Sequence, residues 1–173
     1  LGTTSCGGSE SGYSSPVETE QPPTVNVKSS VSGKVTFDVV PFSIYNQGLD
    51  TDNPYPSAAR GVRVELLNNS GRVIATGNTD ENGNYAIQVD RDLDLFARVS
   101  AMMIQTSGPQ WNVKVTDNTS LIDNEYPLYV TNTSMFNTLA NRVRNIHLPS
   151  GLNGQNAGIR SAAPFAILDA VYD

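Results

Sequence analysis

The sequence predicts an all-β fold, an antiparallel β-sandwich of about seven strands. Two observations carry this reading. Apolar and polar residues alternate over several short stretches, the period of a strand with one buried face. Turn-forming clusters separate those stretches, and the 173 residues include 14 Gly and 10 Pro. The expected organisation is a flexible tether over 1–30, the sandwich over 31–148, and a linker with a short helix over 149–173.

The segment "LGTTSCGGSESGYSSPVETEQPP" has almost no large apolar side chains, so little burial offsets its ordering entropy, and it reads as a tether. Residues 3–6, "TTSC", resemble the end of a bacterial lipoprotein signal. That resemblance implies lipidation of Cys6 and a lipid anchor; the alternative is an unmodified tail cysteine. Beyond the prolines, "TVNVK" sets Val25 and Val27 on one side of a short extended piece. Such a piece fits either a first strand of its own domain or an added strand on a neighbour's open sheet edge.

From Val31 the period is two. Val31, Gly33, Val35, Phe37 and Val39 share one face, with Ser32, Lys34, Thr36 and Asp38 on the other. Val62, Val64 and Leu66 alternate with Arg63 and Glu65. Tyr85, Ile87 and Val89 oppose Asn84, Ala86, Gln88 and Asp90. Leu95, Ala97, Val99 and Ala101 follow, then Trp111, Val113 and Val115 against Asn112, Lys114 and Thr116. "PLYVT" and "VRNIHL" add further strands. "NNSG" at 68–71 joins two strands, and Asn82-Gly83 is the preferred dipeptide of a two-residue type I′ hairpin. At the far end Ser161 is placed to cap a helix through "AAPFAILDAVYD", with Pro164 in its first turn. Phe165, Leu168 and Tyr172 share one face of it, with Ile167 and Val171 beside them, and that face must dock on the sandwich, on a neighbouring copy or on a following domain.

The set Val31/Gly33/Val35, Gly61-Val62-Arg63-Val64, and Thr79-Asp80 with Gly83, Tyr85, Ile87 and Val89 resembles the carboxypeptidase regulatory-like domain. The likeness covers about residues 31–101 and rests on a T-D-x-x-G-x-Y element. It implies a transthyretin-like or immunoglobulin-like sandwich, typically non-catalytic, found as a stabilising or adhesive module in secreted and surface proteins. The insert "PFSIYNQGLDTDNPYPSAAR" (41–60) departs from the pattern, as does everything from 102 onward.

Composition narrows the chemistry. The net charge of -6 and singly scattered basic residues exclude a nucleic-acid backbone as partner. No stretch approaches the roughly 20 apolar residues of a membrane span. With one Cys and one His, zinc sites and disulfides lack ligands, and a serine-type triad would rest on His147 alone. His147 shares its face with Val143 and Asn145, opposite Ile146, as a solvated edge residue does. Calcium is the one metal the acidic turns suit, since it takes six to eight oxygen ligands. The expected site gathers Asp50 and Asp52 of the insert with Asp80 and Asn82 of the 79–84 bend; Asp90, Asp92 and Asp94 form a second candidate at the opposite end. Asn-x-Ser/Thr sequons occur at Asn68, Asn118 and Asn132.

The expectation is therefore a non-catalytic extracellular or cell-surface module acting in assembly or adhesion through protein partners. Val25, Val27, Phe165, Leu168 and Tyr172 are its candidate assembly contacts. Two alternatives are an accessory domain of a larger surface hydrolase and a calcium-stabilised filament subunit assembled by strand exchange.

Overall fold

Strand β1 (Lys28–Val39) is the spine around which the rest is arranged. The computed structural model describes residues 2, 27–45, 47–108, 110–153 and 156–173. Along one edge, β1 pairs antiparallel first with β7 (Asn84–Asp90) and then with β4 (Tyr55–Ala58). Along the other it pairs in parallel with β12 (Arg142–Val143) and then β13 (Ile146–Leu148). In the second main sheet, β5 (Val62–Asn68) lies between β6 (Val73–Asn78) and β8 (Asp94–Gln105). The far edge of β8 takes β9 (Trp111–Lys114), β10 (Val130–Asn132) and β11 (Phe136–Asn137) in turn.

The two sheets bury one shared core. Val31, Val35, Phe37, Ile87 and Val89 come from the first, and Val64, Leu66, Ala97, Val99 and Ala101 from the second. These are the residues that two-residue alternation assigns inward, so the pattern of each strand was legible. Its bounds were less so. β1 begins at Lys28, inside the stretch expected to be tether, because Ser29 is buried and donates its hydroxyl to the Thr138 carbonyl at 2.6 Å.

The bend "TDENGNY" differs from expectation. β6 and β7 belong to different sheets, so the segment is a corner between layers rather than a hairpin within one. Gly83 alone of the Asn82-Gly83 pair has positive φ, at 77°, whereas a type I′ turn needs both. The cause is Asp80, whose carboxylate captures the backbone N–H groups of Asn82 and Asn84 in an Asx turn. Each signature residue of T-D-x-x-G-x-Y has a structural task. The Thr79 hydroxyl accepts from Val62 N at 2.9 Å and donates to the Ala59 carbonyl at 2.6 Å, in a buried position. Gly83 lies so close to β1 that a Cβ would sit 2.5 Å from the Val35 carbonyl oxygen. Tyr85 donates its hydroxyl to the Arg144 carbonyl at 2.6 Å, and burial pushes that hydroxyl up to about 12, so it remains a donor.

Helix α1 (Ala163–Tyr172) closes one end of the sandwich. Its N-cap is Ala162 with no side-chain cap bond, so the expected cap at Ser161 does not form; Pro164 sits in the first turn. Phe165 and Leu168 are fully buried in the chain's own core, against β8 and β1. Of the three partners open to this apolar face, it takes the chain's own sandwich, so Phe165 and Leu168 are buried at home rather than free for the assembly contacts they were candidates for. Tyr172 is half-buried, with the Arg60 guanidinium 4.8 Å above its ring, and Arg60 also pairs with Asp169 at 2.6 Å and Asp173 at 2.7 Å. The hydrogen bonds that Arg60 donates to Asp173 and Asp169 raise it above its ordinary value.

Two stability outcomes follow from these contacts. Thr79→Val keeps the shape but leaves the Val62 N–H unsatisfied and is expected to cost about 2 kcal/mol in urea unfolding. Phe165→Ala is expected to cost about 4 kcal/mol by the same measurement. A loss under about 1 kcal/mol would mean the helix does not belong to the cooperative unit.

Candidate functional site

The acidic turns do not assemble. Asp80 spends its carboxylate on the corner: Oδ1 accepts from Asn82 N and Asn84 N at 2.8 Å each, and Oδ2 from Asn84 Nδ2 at 3.3 Å. Asp50 accepts at both oxygens from Asn53 Nδ2, at 3.1 and 3.0 Å. Among the described residues no group of three or more His, Cys, Asp or Glu side chains is placed to hold a metal ion. Asp50, Asp52, Asp80 and Asn82 thus form no gathered calcium set. The reason is topological. The corner abuts β1 at Val35, whereas the insert leaves β1 beyond Val39, and β4 occupies the edge between them. At the opposite end Asp90 pairs with Lys28 at 2.5 Å, and Asn137 Nδ2 donates to Asp92 at 3.3 Å and Asp94 at 2.9 Å.

His147 is exposed on the outer face of the first sheet, as its strand phase predicts. Its Nδ1 lies 3.0 Å from Thr36 Oγ1 and its Nε2 3.2 Å from Asp38 Oδ1. The other oxygen of Asp38 accepts from Ser150 N at 2.9 Å. A hydroxyl, an imidazole and a carboxylate do meet here, but across the open face of neighbouring strands, where they tie β13 to β1. On the outer face of the second sheet, Glu65 accepts from Arg63 at 3.3 Å, Arg98 at 2.9 Å and the Ser100 hydroxyl at 3.4 Å, so that charge cluster is largely neutralised internally.

Cys6 and Val25 lie outside the described residues. Val27 is half-exposed, and its carbonyl accepts from Arg91 N at 3.3 Å, which holds it beside β7 at the start of β1. Of the sequons, Asn68 uses Oδ1 to shape its own turn by accepting from Ser70 and Arg72, while Asn132 lies in β10.

Two features escaped the sequence reading. The insert forms a small hairpin, β2 (Phe42–Ser43) with β3 (Gly48–Leu49), closed by Asp50 N donating to the Pro41 carbonyl at 2.8 Å. On this hairpin and the start of β4, Phe42, Ile44, Tyr45, Leu49 and Tyr55 are all exposed, Tyr45 at 91%. No Lys or Arg occurs between Lys34 and Arg60. Density of aromatic and aliphatic residues in an insert was the available signal. The second feature is Arg144, which falls on the inward phase of "VRNIHL" with Ile146 and Leu148. A charged residue on that phase was legible in the alternation itself.

No family model matches the chain. No curated protein matches it either. Among solved structures it is similar to a 9R-lipoxygenase from Cyanothece PCC8801, at 15% identity and a TM-score of 0.33, over 78% of this chain and 18% of that one. A likeness that slight bears on neither fold nor function.

The Asp80 turn has a pH signature. Its carboxyl is held below the ordinary value of 3.8, chiefly by the Asn84 backbone N–H and also by that of Asn82, against the opposing effect of desolvation. A depressed folded-state value stabilises above the unfolded value and is lost as pH falls through the folded one. Asp80→Asn should therefore flatten the decline in melting temperature between about pH 5 and about pH 2. An unchanged profile would show that the carboxylate is not engaged in solution.

Proposed function

We propose that the chain is a non-catalytic extracellular or cell-surface β-sandwich module acting in structural assembly or adhesion. The observation that carries this is the β2–β3 hairpin. Its large apolar side chains are displayed to solvent beyond the end of β1 and contribute nothing to the core, a distribution that marks interaction surfaces. Asp50 and Asp52 flank that display in a stretch without Lys or Arg, so the partner it suits is a protein surface with an apolar centre and a basic rim. An anionic membrane would be repelled. A tether ending in a lipidated Cys6 would present the hairpin away from the cell. On this reading His147 and Glu65 serve the sheets they knit.

Beads carrying the chain through Cys6 provide the test. They should cluster with one another or be retained on a panel of immobilised extracellular-matrix proteins. Replacing Phe42, Ile44, Tyr45 and Leu49 together by Ser should lower both by at least about tenfold, while melting shifts by no more than about 2 °C, as expected for exposed positions. Full retention by the variant would remove the hairpin from the account.

A further inference from the structure

We propose that the open side of the sandwich around Arg144 is a binding site for an acidic saccharide, a sugar carrying a carboxylate. The groove there has a volume of about 460 Å³ and runs between the 131–134 segment of the second sheet and the 143–147 segment of the first. Arg144 is one of the residues that line it, and three observations set that residue apart.

The first is position. Arg144 lies on the inward phase of its segment, with its guanidinium 4.6 Å above the ring of the buried Phe136. The second is its unfilled donors: Arg91 and Arg142 spend their guanidinium groups on the Leu139 and Asn137 carbonyls, whereas among the described residues Arg144 has neither such a bond across the fold nor a carboxylate. Its Nη1 reaches only the carbonyl of the adjacent Val143, at 3.2 Å, and its buried Nε has no partner. A polar atom left unsatisfied in a protein interior costs free energy, and such a cost is carried where a residue serves something other than stability. The third is preorganisation. Arg144 N donates to the Ser32 carbonyl at 2.7 Å, and its own carbonyl accepts from Tyr85. Gly33 leaves room for that carbonyl, which a Cβ at 33 would meet at 2.1 Å. Residues 33 and 85 therefore both fix the backbone of Arg144. The scaffold fixes the backbone that carries this cation in the lining of the groove, as a recognition site requires.

The lining names the rest of the ligand. Thr131, Asn132, Ser134 and Asn145 are among the residues that line the groove, and Asn145 Oδ1 accepts from Lys34 N at 2.9 Å. Hydroxyls and amides paired with one guanidinium match the hydroxyls and single carboxylate of a uronic acid. A fork of N–H donors suits a carboxylate better than a point charge does. His147 completes one wall, its imidazole already engaged by Thr36 and Asp38.

The test is an amide-resonance titration of the whole chain. A glucuronate-containing tetrasaccharide, a neutral glucose tetrasaccharide and sodium acetate serve as probes. The glucuronate oligosaccharide should shift resonances of 131–134 and 143–147 in a saturable way. The neutral sugar should not, and acetate should do so only at concentrations at least about tenfold higher, since single-point anion contacts in water are weak. Arg144→Met keeps the stack and the backbone bonds and should weaken binding at least tenfold; Arg144→Lys should recover only part of it. If Arg144→Met unfolds the chain, Asn132→Ala with Ser134→Ala leaves the cation in place and should still weaken binding about threefold. No shifts with the glucuronate oligosaccharide, or equal affinity for the neutral sugar, would overturn the proposal. The outcome is independent of the hairpin, so either surface can fail without the other.

Discussion

Everything in this fold leans on the place where β1 changes partners. At Val35 the strand donates its N–H to the Gly83 carbonyl of the corner and accepts from Ala59 N, at 2.8 and 3.0 Å, so one edge passes from β7 to β4 within a single residue. The same corner is pinned to the second sheet by the Thr79 hydroxyl, between Val62 N and the Ala59 carbonyl. A neutral buried hydroxyl with both roles filled contributes modestly, about 1 kcal/mol per bond, but losing it strands a buried donor. Gly83 lets the chains approach, and Asp80 sets the turn that brings Gly83 there. The acidic stretch that invites a calcium reading is thus the joint between the two layers.

That joint positions both surfaces discussed above. Because β7 leaves the corner along β1, Tyr85 arrives beneath the 142–148 segment and grips the Arg144 carbonyl. Because β4 takes over the remaining length of β1, the insert between them is extruded beyond Val39 as the β2–β3 hairpin. One surface is preorganised and polar, the other displayed and apolar. The two meet different partners by different physics: directional charge-assisted bonds for the groove, desolvation of aromatic and aliphatic area for the hairpin.

The strands were legible in the sequence because burial on one face imposes a period of two, and β1, β5, β7 and β8 keep it over five or more residues. The T-D-x-x-G-x-Y element was legible as a turn, but not as a crossing between sheets, since local residues do not encode which sheet the next strand joins. Helix α1 was legible by its apolar face, although which of its possible partners that face would take, β8 and β1 of its own sandwich, was not. The phase of "VRNIHL" could be read, but its partner could not: the parallel pairing of β12 and β13 with β1 joins residues more than a hundred positions apart, as with Val35 and Ile146. Site residues suffered most. Asp50 and Asp80 have the right chemistry for a metal, yet β4 runs between them. Arg144 stood in plain view on a core phase, while the lone histidine next to Leu148 drew attention for its rarity.

Native-state hydrogen exchange at the amides of Val35 and Val62 tests the central claim most directly. If the corner is what couples the two layers, both amides should exchange only through global unfolding, with the same dependence on added denaturant as the most protected amides of β5 and β8. Exchange of either amide through a local opening, at a free energy well below that of the core, would contradict the account.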